Sequence, residues 1–151
     1  MQARIIFVAF LIMAADTRAP WLGSWRLNPA KSTTNSEARF KRVTLKIERW
    51  EDGLKVTYDM VGTRGGVTHM EWTGKFDGKD YPIQGVEYFL TNAYTLLNDH
   101  SYQIIVKVDE AIAATTTVII SPDGKTLTTT TNEKNARGQG ITSTSVYEKE
   151  P

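Results

Sequence analysis

The chain carries two imidazoles, His69 and His100, and no cysteine. His69 and Glu71 lie two residues apart, a spacing that puts an imidazole and a carboxylate on one face of a strand, where they could share a proton or one metal ion. The opposite face of that strand would carry Met70, Trp72 and Phe76, so burying the aromatics sends His69 and Glu71 to solvent. His100, beside Asp99, reads as a turn residue. Neither histidine sits in the local frame of a Ser-His-Asp site, and there is no Gly-x-Ser-x-Gly elbow. The glycine-rich stretch Gly62-Thr63-Arg64-Gly65-Gly66 lacks the Lys-Ser/Thr ending of a phosphate loop and precedes a strand, so it is a turn. Asp59 and Glu71 fall on neighbouring strands but on outward faces, so an acid/base pair is not supported. No catalytic residue, metal ligand or cofactor site is therefore assigned. Lys41, Arg42 and Lys46, near Phe40 and Trp50, match a solvated sheet exterior. With 18 Lys plus Arg against 17 Asp plus Glu, the chain lacks the basic excess of a nucleic-acid binder.

The elements that would hold these residues are strands. At 151 residues one domain is expected. Eight threonines fall between Thr115 and Thr131, a β-branched bias that suits a pleated surface. Residues 1–19 read as a secretory signal peptide: Arg4 at the start, an apolar run from Ile5 to Ala15, and small residues Thr17 and Ala19 flanking a cleavage point. The run is too short to span a bilayer, although an uncleaved anchor is the alternative. Residues 20–151 would then be a secreted or periplasmic domain of zero formal charge, with no stable membrane insertion.

Beyond Trp21, short runs alternate and are punctuated by turn chemistry. They are Leu22–Leu27, Lys41–Trp50, Leu54–Met60, Val67–Phe76, Tyr81–Gln84, about Tyr88–Leu97, Tyr102–Val108, Ile112–Ile120, Thr126–Thr131 and Ile141–Lys149. The run at 88–97 has no clean alternation, so its facing is undecided. Residues 28–36 form a loop or short helical turn around Pro29. Turns this short force antiparallel neighbours, and an open sheet of so many strands would leave two bare edges. An all-β, closed or nearly closed up-and-down barrel of about 8–10 strands removes both.

Gly23-Ser24-Trp25 resembles the Gly-x-Trp motif that opens the calycin superfamily of lipocalins and fatty-acid-binding proteins. Gly23–Ser32, Asp77–Pro82 and Ser121–Thr126 extend the similarity to uncharacterised exported lipocalin-like bacterial proteins. The resemblance implies a barrel in which Trp25 packs against a basic residue of the last strand, here Lys149, at the closed end. It implies no activity. There is no helix-turn-helix lid of the fatty-acid-binding type between the first two strands and no internal arginine pair, so a fatty acid is not specifically implied.

The inward set includes Trp25, Leu45, Ile47 and Val56. The expected ligand-binding wall comprises Tyr58, Met60, Met70, Trp72, Phe76, Tyr102 and Ile104, apolar residues of which three carry a polar handle. The leading expectation is a binder of one small hydrophobic or amphipathic molecule, without cofactor. A filled barrel acting as an interaction or structural module and a small-cavity enzyme using His69 or Tyr58 are the alternatives. Residue types alone do not decide between a cavity and a solid interior. Oligomeric state is open.

Overall fold

A computed structural model describes residues 18–33 and 40–151; the expected signal segment, up to Thr17, and part of the first long loop lie outside them. Ten strands follow one another: β1 Gly23–Leu27, β2 Phe40–Trp50, β3 Gly53–Gly62, β4 Val67–Gly74, β5 Tyr81–Gln84, β6 Leu90–Asn98, β7 Ser101–Val108, β8 Ala111–Ile120, β9 Thr126–Lys134 and β10 Gly140–Lys149. Each pairs antiparallel with the next, and β1 also pairs with β10 through Trp25↔Lys149, Arg26↔Glu148 and Leu27↔Tyr147, so the meander closes into a barrel.

Alternation explains most of the facing. Val43, Leu45 and Ile47 of β2 and Leu54, Val56 and Met60 of β3 are buried on the inner face, while their neighbours in sequence are half-buried or exposed. The stretch without alternation has a physical cause: Thr91, Asn92, Ala93 and Tyr94 of β6 are all buried, so both faces of that strand are covered.

Two features shape the ends. β1 is short, and beyond Leu27 the chain turns through a single 3-10 turn at Pro29–Lys31 that the Asn28 side chain caps by accepting from the Ala30 N–H at 3.1 Å. This linker keeps to the edge of β10: the Asn28 and Thr33 amides donate to the Val146 and Thr144 carbonyls, and the Val146 amide donates to Ser32 Oγ. The narrowest seam lies across β5, whose ladders run through Glu71↔Gln84 and Trp72↔Ile83 on one side and Tyr81↔Asn92 and Pro82↔Thr91 on the other.

Candidate ligand-binding interior

The interior holds an aromatic floor with apolar and hydroxyl-bearing rows above it. At the floor, Trp72 stacks on Tyr94 with ring centroids 4.0 Å apart, and Tyr94 stacks on Tyr102 at 5.3 Å. Trp21 meets Phe76 and Tyr102 edge-on. Gly74 makes room for the Trp72 ring: a Cβ there would lie 2.4 Å from its Cζ2. The indole Nε1 donates to the carbonyls of Tyr81 and Asn92 at 3.1 and 3.2 Å, tying β4 across β5 to β6.

Trp25 is 0% exposed and donates from Nε1 to the Trp21 carbonyl at 2.9 Å. Lys149 Nζ stands 5.1 Å from the centre of its ring, and the Lys149 stem crosses Gly23, where a Cβ would come within 2.8 Å of Cε. Gly23, Trp25 and Lys149 thus form one contact at the closed end. Burial pushes the Tyr94 and Tyr102 hydroxyls well above the usual phenol range, so neither becomes a base near neutrality.

The seven residues expected to line the cavity separate by level. Trp72, Phe76 and Tyr102 belong to the floor. Tyr58, Met60, Met70 and Ile104 stand in or against the apolar core above it, with Tyr58 directly opposite Met70 in the ladder. Across from them the wall is hydroxylated. One inner row runs Tyr94, Ile104, Thr116, Thr131, Ser143 from β6 to β10, and the row below it ends in Val118, Thr129, Ser145. Thr116 and Thr131 share a hydrogen bond at 2.9 Å, and Ser143 and Ser145 are buried. A third row carries Asn92, Val106, Ala114 and then Glu133 and Ile141 at the exposed rim. These three rows hold no charged residue below Glu133.

Sequence reasoning missed this polar wall and also Asn92, because Ser, Thr and Asn normally mark outward positions. The usable signal was the period of two that joins Ser143 and Ser145 to Tyr147, and Asn92 to Tyr94.

Tyr58, Met70, Val106, Thr116, Thr129 and Thr131 face inward yet are only half-buried. The turns at this end follow β3, β5, β7 and β9, and exposed Val67, Tyr88, Phe89, Ile112 and Ile141 surround it. A cleft of ≈ 270 Å³ also opens in the wall where β1 stops, between Leu27, Pro29 and Phe40–Val43.

The outer face holds the remaining titratable cluster. His69 Nδ1 lies 2.6 Å from Asp59 Oδ1 and Nε2 lies 3.7 Å from Glu71, which also pairs with Lys55 at 3.3 Å. The hydrogen bond to Asp59 raises the His69 pKa, with the charges of Asp59 and Glu71 adding to it against partial desolvation. His69 and Glu71 therefore sit on the solvent side of β4, and His100 is exposed in the β6–β7 turn. Among the described residues no group of three or more His, Cys, Asp or Glu side chains is arranged to hold a metal ion. No helix among them is long and apolar enough to cross a membrane.

No protein-family model and no curated protein matches the sequence. Among solved structures, the zebrafish ileal bile acid-binding protein complexed with cholic acid is similar over 87% of this chain and 99% of its own, with a TM-score of 0.56 and 12% identity. The siderocalin Ex-FABP, described as functioning through dual ligand specificities, aligns over 87% of this chain and 71% of its own, with a TM-score of 0.38 and 12% identity. A ten-stranded meander closed β1 to β10, aligned over nearly the full length of the zebrafish bile acid-binding protein, gives this chain the same closed antiparallel β-barrel fold.

Proposed function

We propose that the mature domain is an extracytoplasmic binding protein that holds one small hydrophobic or amphipathic molecule in the upper half of its barrel. The observation that carries the reading is the half-burial of inward-facing Tyr58, Met70, Thr116 and Thr131, against the full burial of the stacked Trp72, Tyr94 and Tyr102 rings. One wall is apolar and the other hydroxylated, which suits an amphipathic guest. The zebrafish protein, with the same fold, was solved with cholic acid. The extracytoplasmic part of the proposal rests on Arg4 and the apolar run Ile5–Ala15.

The test is titration of the intrinsic tryptophan fluorescence with long-chain alcohols, sterols, bile acids and neutral dyes, with stoichiometry read by native mass spectrometry. Saturable one-to-one binding is expected for at least one class. Uniform failure across the panel overturns the proposal.

A further inference from the structure

Asn92 is 8% exposed, and its Oδ1 has no hydrogen-bond partner among the described residues. It shares the inner face with Tyr94 and lies opposite Val106 in the ladder, one row above the aromatic floor. Buried carboxamides are ordinarily paired, so an unpaired one on the inner face of the barrel marks a place where something else supplies the partner. Other polar side chains of the wall are engaged: Thr116 and Thr131 bond each other, and Ser145 has its own interaction. The rows around Asn92 contain no cation to neutralise a carboxylate, and a bare carboxylate on these walls would lose its hydration without compensation.

We propose that Asn92 is the polar anchor of the ligand, and that the barrel takes neutral, hydroxyl-bearing hydrophobic molecules in preference to carboxylates. The inference rests on the binding reading above and names its ligand class. A hydroxyl is the complement that suits a carboxamide in either orientation, since it donates to Oδ1 and accepts from Nδ2. The alkyl or ring body then lies against Tyr58, Met60, Met70, Ile104 and Val106. The Asn92 backbone carbonyl is already taken by Trp72 Nε1, so the side chain can change without cutting that tie.

The test compares dodecanol, its methyl ether and dodecanoate at neutral pH, each displacing the neutral dye Nile red from the wild-type chain and from Asn92→Leu. Dodecanol is expected to bind about tenfold more tightly than its ether, which cannot donate, and dodecanoate more weakly still. In Asn92→Leu the alcohol falls to the affinity of the ether while the ether is unchanged. If that variant does not fold, the wild-type series decides alone. Equal binding of alcohol and ether, as expected were a buried water the real partner of Asn92, overturns the inference. So does a preference for dodecanoate; both results leave the container reading standing. Failure of Nile red and all three ligands to bind overturns both.

Discussion

Replacing Trp72 by Phe isolates what its indole N–H does. Phe keeps a ring against Tyr94 but removes the indole N–H that donates to the Tyr81 and Asn92 carbonyls. Leaving buried carbonyls short of a partner costs about 1–3 kcal/mol. The smaller ring leaves roughly 40 Å³ unfilled, which adds about 1 kcal/mol at the usual cavity coefficient. The loss of unfolding free energy should therefore be about 2–4 kcal/mol, or a Tm fall of about 6–12 °C for a domain of this size. Urea unfolding followed by far-ultraviolet circular dichroism measures it, with Trp50→Phe as the control. Trp50 is exposed, with Lys55 over its ring in a cation–π contact, so its loss should stay within about 0.5 kcal/mol. The damage should also be local, with faster amide exchange in β5 and the facing part of β6. A Trp72→Phe chain as stable as the Trp50→Phe control would show that the indole does not tie the narrow seam.

Gly85 has φ +98°, and a Cβ there would lie 2.2 Å from the His69 carbonyl oxygen. Gly85→Ala is expected to destabilise by about 2–4 kcal/mol in the same denaturation assay, because the obstacle is backbone. Thr116→Trp, which places an indole in the row between Ile104 and Thr131, should abolish Nile red binding while leaving the β circular dichroism signal intact. The His69 pKa is raised in the folded chain, so its contribution to stability is complete below the unfolded value of about 6.5 and is lost as pH rises through the folded value. Proton NMR should show His69 titrating above the ordinary histidine value of about 6.5, and Asp59→Asn should bring it down; an unmoved His69 curve would refute the role of Asp59.

Much of the barrel was legible because its strands are amphipathic in the simplest way. Val43, Leu45 and Ile47 announced an inner face, as did Leu54, Val56, Tyr58 and Met60, and the turn at Glu51–Asp52 fell between them. The ring closure followed from edge avoidance, and β1 does pair with β10. Where both faces of β6 are covered, hydrophobicity no longer oscillates, so Tyr94, the centre of the aromatic stack, went unrecognised. The threonine-rich strands hid their facing for a different reason. Thr115, Thr116 and Thr117 offer the same hydroxyl and methyl to both sides, and a β-bulge between Val106 and Lys107 shifts the register just before them. Asn92, Ser143 and Ser145 were missed because a polar inner wall violates the rule that finds walls at all.

The linkage of the two ends of the domain has one more consequence. Glu150 donates its amide to the Ser24 carbonyl at 2.8 Å, so the first and last stretches of the barrel lie side by side rather than at opposite poles. The molecule is in effect a loop of ten staves with a single cut, and the position of that cut is incidental to the architecture. A circular permutant joined from Glu150 to Trp21 by a short glycine-serine linker, and reopened in the exposed turn between Arg64 and Gly65, traverses the same staves in a new order.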